Sequence, residues 1–402
     1  MSHCRQQRSG RDFCKKEQCC PLPPCDTRFE IKGVLAMKSV EEFRFMKRCL
    51  LLAKRGEGNV HPNPMVGCVI VQGDKVVGEG YHEKFGGPHA EIIALKNAGK
   101  KAKGATMVVS LEPCVHFGKT PPCTDAVIRA GIARVVIASR DPNPLVGGKG
   151  IRRLRKAGVQ VKIGVLQSNT QALNEKFFKY MRTGLPYVGI KLAQTLDGKI
   201  ADGAGTSKWI SSKAARTVVH RLRHEYDAVL VGAKTVLSDN PELRVRLIRG
   251  RDPVRVVVDG RLSLPTTRAI FNTAAAPTWL FTSSRAAGAK KEKIRKLVSQ
   301  GVRILSVPSE HRLNARAILR TLAAEGVSSL LIEGGADTID GFINQSLADK
   351  LYLFVSPKIL GGGLNGFTFT TPRLLRTSIH CTTPTVQTIG EDLLLELLFI
   401  HD

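Results

Sequence analysis

The sequence is short of acid. Against 61 Lys and Arg it sets 34 Asp and Glu, which gives a net charge of +27 and a pI near 10.0. Aromatics are also scarce, at 5% with two Trp. Proteins that hold single-stranded nucleic acid combine cations with aromatic faces on which bases stack. Here the basic residues are scattered and no recognisable RNA-binding motif occurs, so nucleic acid is not the expected partner. Phosphorylated small substrates fit the charge better. No apolar run approaches the ~18 residues that a membrane span needs, and the N-terminus carries no signal-peptide apolar stretch. The chain therefore reads as cytoplasmic, with no membrane partner. Its hydrophobic fraction, 43%, is that of a globular protein, and 402 residues exceed one ordinary core, which implies two domains. The oligomeric state stays open, a homo-oligomer included.

Ten cysteines are present, but not in a disulfide-like arrangement. Five crowd into the first 25 residues (Cys4, Cys14, Cys19, Cys20, Cys25), and their spacing matches no zinc pattern. Residues 1–38 are polar, basic and rich in Cys and Pro, so a disordered extension is expected. Folded structure is expected from Ser39, where Ser39 and Glu42 form a capping box. Val40, Phe43, Met46 and Leu50 then share one helical face. Cys49, Cys68 and Cys381 stand alone in apolar surroundings and read as buried free thiols, which suits a cytosolic setting.

The remaining two cysteines belong to the stretch around which the chain is organised. It reads Pro88-His89-Ala90-Glu91, then Ser110-Leu111-Glu112-Pro113-Cys114, then Gly118-Lys119-Thr120-Pro121-Pro122-Cys123. One imidazole and two thiols hold a tetrahedral zinc with its fourth position open, as catalytic sites do. Zinc there lowers the pKa of a bound water to near neutrality. Glu91, two residues after the histidine, is free to move protons: from the water to a ring nitrogen, and then to a departing amine. Helices starting near Pro88 and Pro122 would put His89 and Cys123 in first turns, where the dipole favours thiolate. H-x-E followed by P-C and a second Cys is the signature of zinc-dependent base deaminases.

The spacing narrows the reading. Eight residues separate Cys114 from Cys123, where base and nucleoside deaminases generally have two. With that gap, the stretch resembles the deaminase half of the bifunctional riboflavin-biosynthesis deaminase/reductase family. His61-Pro62-Asn63-Pro64-Met65-Val66-Gly67 is similar to that family's substrate loop, and the resemblance runs over roughly residues 40 to 400. It implies deamination of 2,5-diamino-6-(5-phosphoribosylamino)pyrimidin-4(3H)-one, followed by NADPH-dependent reduction of the ribosyl chain to ribityl.

The element pattern for residues 39–183 is a three-layer α/β/α sandwich, and the resemblance implies that it is cytidine-deaminase-like. Strands are expected at Met65 to Val71, Lys75 to Tyr81, Thr106 to Leu111, Arg134 to Ala138 and Val159 to Val165. Helices are expected after Pro88, from Cys123 through Ala130, at Ile151 to Ala157, and as one long helix from Asn169 to Arg182. The Gly184-Leu185-Pro186 break marks a domain boundary. Beyond it, in 184–402, alternating β and α segments argue for a largely parallel sheet with helices on both faces. Gly334-Gly335 after a strand suggests a turn that offers N–H groups to a phosphate.

This second half resembles the family's reductase domain, which is dihydrofolate-reductase-like and uses NADPH. The match rests on Lys191 to Ala201, Ser207-Lys208-Trp209-Ile210, Thr235 to Arg246, Val256-Val257-Val258-Asp259 and Glu333-Gly334-Gly335. It implies cofactor contacts at Ala193, Trp209, Thr235, Asp239 and the turn from Gly335 to Gly341. It implies substrate contacts at Ser207, Arg223, Leu243, Arg246 and Glu333. Thr195, Ala233, Asn240 and Gly260 depart from the family's usual residues. No general acid for the reduction stands out, with Asp239 and Glu333 as candidates. Two rival readings are a deaminase acting on nucleic acid and a zinc-stabilised chain whose second half is inactive. The cysteine gap argues against the first and Glu91 against the second, since a structural site needs no uncoordinated carboxylate.

Overall fold

The computed structural model describes residues 28–115, 121–309, 313–369 and 373–401, with the backbone alone for 28–39. The cysteine-rich stretch from Cys4 to Cys25 and the motif residues Gly118-Lys119-Thr120 lie outside the described residues. The first helix, α1, spans Arg28–Lys54 and is already running at Ser39, so Ser39 is not its N-cap. Its buried stripe is also one residue out of phase with the expected one. Phe45, Met46, Cys49, Leu52 and Ala53 are buried, whereas Val40 and Phe43 are exposed. Both sets fit a helical period, but only the former is continuous over three turns. Glu42, expected as a capping partner, is buried and ion-paired with Arg134 and with Lys162.

The chain then runs β1 (Gly67–Gln72), β2 (Lys75–Tyr81), α2 (Ala90–Ala98), β3 (Thr106–Leu111), α3 (Cys123–Arg129), β4 (Arg134–Ser139), α4 (Lys149–Lys156), β5 (Gln160–Ile163), α5 (Gln167–Leu173) and α6 (Glu175–Thr183). The five strands form one sheet in the order β2-β1-β3-β4-β5, with β1 antiparallel to its neighbours and β3, β4 and β5 parallel. Strand periodicity of two sorts its side chains onto two faces. Val69, Val71, Val108, Val136 and Ala138 pack with α1, while Ile70, Met107, Val109, Val135 and Ile137 pack with α2, α3 and α4. These are the three layers.

The expected single helix from Asn169 to Arg182 is instead two, broken at Asn174. The Asn174 amide is buried and used elsewhere: Oδ1 accepts from Met65 N at 2.8 Å and Nδ2 donates to Met65 O at 3.0 Å. A side chain that mimics a strand partner competes with the helix it sits in.

The second half comprises β6 (Tyr187–Thr195), β7 (Lys199–Ala201), α7 (Lys213–Glu225), β8 (Ala228–Gly232), α8 (Ala233–Asp239), β9 (Val254–Val258), β10 (Thr278–Ser283), α9 (Ser284–Ala289), α10 (Lys291–Ser299), β11 (Arg303–Val307), α11 (Ala315–Ala324), β12 (Ser329–Ile332), α12 (Ala336–Ile343), β13 (Lys350–Ser356), β14 (Leu364–Asn365), β15 (Thr385–Ile389) and β16 (Asp392–Leu398). Its main sheet has the order β11-β10-β9-β8-β12-β6-β13-β16-β15. It is parallel from β11 to β13, as expected, and ends in an antiparallel hairpin, β16 and β15, that the alternating pattern did not foreshadow. One core lies under α7, with Val219 and Leu222 against Val229, Val231 and Leu331. The other lies under α11 and α12, with Leu319, Leu322 and Phe342 against Ile190, Leu230 and Ile332. Among the described residues no helix is long and apolar enough to cross a membrane.

Asn174→Ala leaves a buried N–H and a buried C=O of Met65 without partners, at about 1–3 kcal/mol each. The variant should be destabilised by roughly 2–4 kcal/mol, read as a lowered denaturant midpoint.

Candidate active sites

In the first half the strand–helix layout brings three ligand atoms together. His89 is the N-cap of α2, Cys123 is the first residue of α3, and Cys114 lies just beyond the end of β3. One atom from each, a histidine ring nitrogen and two Sγ, lie within 4.8 Å of one another. His89 Nδ1 is 3.2 Å from Cys123 Sγ and 3.6 Å from Cys114 Sγ, and Cys123 N donates to Cys114 Sγ at 3.4 Å. Hydrogen bonds from Cys123 and His89 lower the Cys114 thiol, while the bond to Cys114 and burial raise that of Cys123, so the pair favours one thiolate, at Cys114 and not at the helix start as expected. A soft, mixed N and S donor set with thiolate character fits zinc.

Glu91 sits in the first turn of α2, 4% exposed. Burial pushes its carboxyl up to about 7, although the neighbouring His89 opposes this. Glu112 of the same motif has a different task. Its carboxylate accepts from Gly148 N at 2.9 Å and Ile151 N at 3.1 Å, which ties the start of α4 to the segment carrying Cys114.

Sequence reasoning noted the run from His61 to Gly67 but missed its link to the metal ligands. Asn63 Nδ2 donates to His82 Nε2 at 3.1 Å, and His82 Nδ1 donates to Pro88 O at 3.0 Å. A carbonyl can only accept and an amide N–H only donate, so the two partners fix the His82 tautomer. The His82 ring stands edge-on to His89, with centroids 5.4 Å apart. Nothing local in the sequence marks His82.

In the second half one cavity of about 1130 Å³ opens where β6, β8, β9 and β12 end. Of the residues singled out, Ala193, Ser207, Trp209, Arg223, Thr235, Asp239, Leu243, Arg246, Glu333 and Gly335 all line it. Gly341 does not. The turn is completed by Gly334 and Gly335, at φ 111 and 71, and α12 starts at Ala336, so Gly341 rides inside a helix. Arg223 is already engaged: Nε and Nη2 donate to the two Glu333 oxygens at 2.5 and 2.8 Å, and Nη1 donates to Arg244 O at 2.9 Å. Burial would raise the Glu333 carboxyl, but the Arg223 charge outweighs it and holds Glu333 below its ordinary value. Arg246 is half exposed and pairs with Glu242 at 3.1 Å. Its backbone N–H donates to His220 Nδ1 at 2.8 Å. Leu243 is held at φ 53 while buried, a strained conformation of the kind that surrounding packing must hold in place.

Lys191 also lines the cavity and was not singled out as a contact. It interrupts the apolar run from Tyr187 to Ala193 in β6, a signal that could have found it. Burial lowers its pKa, against the pull of Glu333.

These two sites have counterparts in known proteins. The cytidine and deoxycytidylate deaminase zinc-binding region matches residues 39–139, and the RibD C-terminal domain matches residues 186–395. The riboflavin biosynthesis protein RibD of Aquifex aeolicus is 46% identical over 356 residues, covering 87% of this chain and 96% of its own. The chain belongs to the RibD family. RibD of Escherichia coli is 40% identical, covering 80% of this chain and 89% of its own. The solved RibD structure from Acinetobacter baumannii superposes with a TM-score of 0.82 at 36% identity, over 90% of this chain and all of that one. The structure from Thermotoga maritima, described as a diaminohydroxyphosphoribosylaminopyrimidine deaminase/5-amino-6-(5-phosphoribosylamino)uracil reductase, has a TM-score of 0.79 at 40% identity with the same coverage. As a RibD the chain is a two-activity enzyme of riboflavin biosynthesis, a zinc-dependent deaminase joined to an NADPH-dependent reductase. A deaminase of nucleic acid and an inert second half are both disfavoured by these matches.

Cys114→Ser should lose most of its zinc in metal analysis of the purified chain, because one of three protein ligand atoms is weakened. Full retention of zinc would move the metal site elsewhere.

Proposed function

We propose that residues 39–183 remove the exocyclic amine of 2,5-diamino-6-(5-phosphoribosylamino)pyrimidin-4(3H)-one and that residues 184–402 reduce the sugar of the product to a ribityl chain. The observation that carries this reading is Glu91, a buried carboxyl of raised pKa beside His89, Cys114 and Cys123. A purely structural zinc site has no use for it. The description of the Thermotoga relative supports the same substrate pair. Zinc, when bound by those three residues, acidifies a water so that it can attack a ring carbon near neutral pH. Glu91 takes the proton from the attacking water and delivers it to the ring nitrogen, then to the amine. The C–O bond forms, the C–N bond breaks and ammonia leaves. His82, with its tautomer set by Asn63 and Pro88, forms part of the wall next to His89.

In the second half, NADPH supplies hydride to the sugar C1′ of a ring-opened imine. Ala193, Trp209, Thr235, Asp239 and Gly335 are the proposed cofactor contacts. Ser207, Leu243 and Arg246 are the proposed substrate contacts. Arg223 and Glu333 act together, with Arg223 orienting the Glu333 carboxylate toward the substrate's hydroxyls. Lys191, which lines the same cavity and feels the charge of Glu333, is the proposed holder of a proton for the imine nitrogen. We place the chain in the cytoplasm, where thiols such as buried Cys49 and Cys68 remain reduced.

Two variants test the division of labour, with ammonia release and NADPH oxidation followed separately. Glu91→Gln keeps size but cannot shuttle a proton, so deamination should fall at least ~10²-fold. Its zinc content, and NADPH oxidation on the deaminated pyrimidine, should be unchanged. Arg246→Ala should weaken reduction roughly ten- to a hundredfold, the scale of a charge-assisted contact, and spare deamination. An equal fall in both activities of a folded Arg246→Ala chain would overturn the assignment.

A further inference from the structure

Residues 56–64 of the first half lie against the second half, and neither reaction as derived above uses that contact. Arg251, between α8 and β9, donates through Nε to Gly58 O at 3.4 Å and through Nη2 to Tyr226 O at 3.3 Å. Its Nη2 is 3.6 Å from Asp227 Oδ1, and His61 Nδ1 lies 3.9 Å from the same oxygen. The other Asp227 oxygen is held by Ser328 N, Ser328 Oγ and Ser329 N at 2.9, 2.6 and 3.1 Å, so the carboxylate is anchored to the second sheet. Gly58, at φ +76, lies flat on the His224 ring, where a Cβ would approach His224 Nε2 to 2.2 Å. Lys176 of α6 adds a bond to Glu225 O at 2.9 Å.

A short, stiff path leads from this contact to the metal ligands. His61-Pro62-Asn63-Pro64 carries two prolines whose φ is fixed, so a shift at Gly58 or His61 is passed on to Asn63. Asn63 bonds His82, and His82 stands against His89. We propose that Arg251 and Asp227 of the reductase half are positioning residues for the deaminase site. They hold the 56–64 segment at the register in which Asn63 and His82 line the pyrimidine's path. The inference rests on the deaminase reading above and adds to it that the two halves, though chemically separate, are mechanically joined.

The test uses the full-length chain. Arg251→Ala removes a partly exposed side chain, and its loss should raise the KM for deamination roughly three- to tenfold, the size of one or two lost hydrogen bonds, with kcat changed less than about twofold. NADPH oxidation on the deaminated pyrimidine should stay at the wild-type rate, and Arg251→Lys should recover part of the KM. A wild-type deamination KM in Arg251→Ala, or an equal loss of both activities, overturns the inference. Gly58→Ala should raise the same KM, and adding His224→Ala should recover part of it. No recovery in the double variant would trace the effect to backbone strain at Gly58, which also counts against the proposal. Ammonia release by the wild-type chain separates the two levels. Its absence removes the deaminase reading, whereas its presence with an unaffected Arg251→Ala removes only the coupling.

Discussion

The first site depends on how closely α2 lies on β2. A Cβ at Gly78 would come within 2.4 Å of Ala94 O, and one at Gly80 within 2.5 Å of Ala90 O. Only glycine permits that approach of helix to strand. With α2 pressed flat, its first turn is set against the end of β3, and His89 and Glu91 meet Cys114 there. The same closeness shuts water away from Glu91. A carboxylate in such ground is costly unless partnered, and the helix start, with its N–H groups and dipole, offsets part of the cost. The outcome is a carboxyl that burial raises above the ordinary carboxylate range.

That geometry explains which parts of the chain were legible. The cluster of candidate ligands was readable because ligand type and spacing are local: His89, Cys114 and Cys123 are brought together as expected, with Glu91 beside them. Strands such as Lys75–Tyr81 and Thr106–Leu111 were readable to the residue, since the first returns from the Gly73-Asp74 turn and the second is a largely apolar run after Gly104. What failed was decided at long range. Asn174 breaks a helix because of Met65, 109 residues away in sequence. The phase of α1 is chosen by the sheet face it covers, not by its own periodicity. The hairpin of β15 and β16 follows a parallel sheet whose pattern gives no notice of it. Gly341 was carried into the cofactor turn by the family resemblance, whereas the helix that begins at Ala336 takes it away.

Charge is distributed with the same logic. Glu333 and Arg223 neutralise each other inside the second cavity, and Glu42 absorbs Arg134 and Lys162 in the first half. The fully buried Arg255 is held by the backbone carbonyls of Glu242, Asn272 and Ala276, so the cation proposed to meet a phosphate is a half-exposed one, Arg246. A net charge of +27 then raises the local concentration of anionic substrates without any single strong site. A nucleic acid could use the same field, but a carboxyl as buried as Glu91 is reached only by a base taken out of its stack.

Both sites obey one rule of open α/β sheets, that ligands gather beyond the carboxyl ends of parallel strands, where helices begin. In the first half Cys114 follows β3, and α2 and α3 start beside it. In the second, β8 ends at Gly232, the N-cap of α8, and Glu333 to Gly335 follow β12 and lead into α12. Strand ends supply side chains at fixed spacing, and helix starts supply free N–H groups. The hairpin of β15 and β16 offers neither, and none of its residues lines the cavity. Its place at the sheet edge is structural, so the reductase chemistry is confined to the parallel part of the sheet.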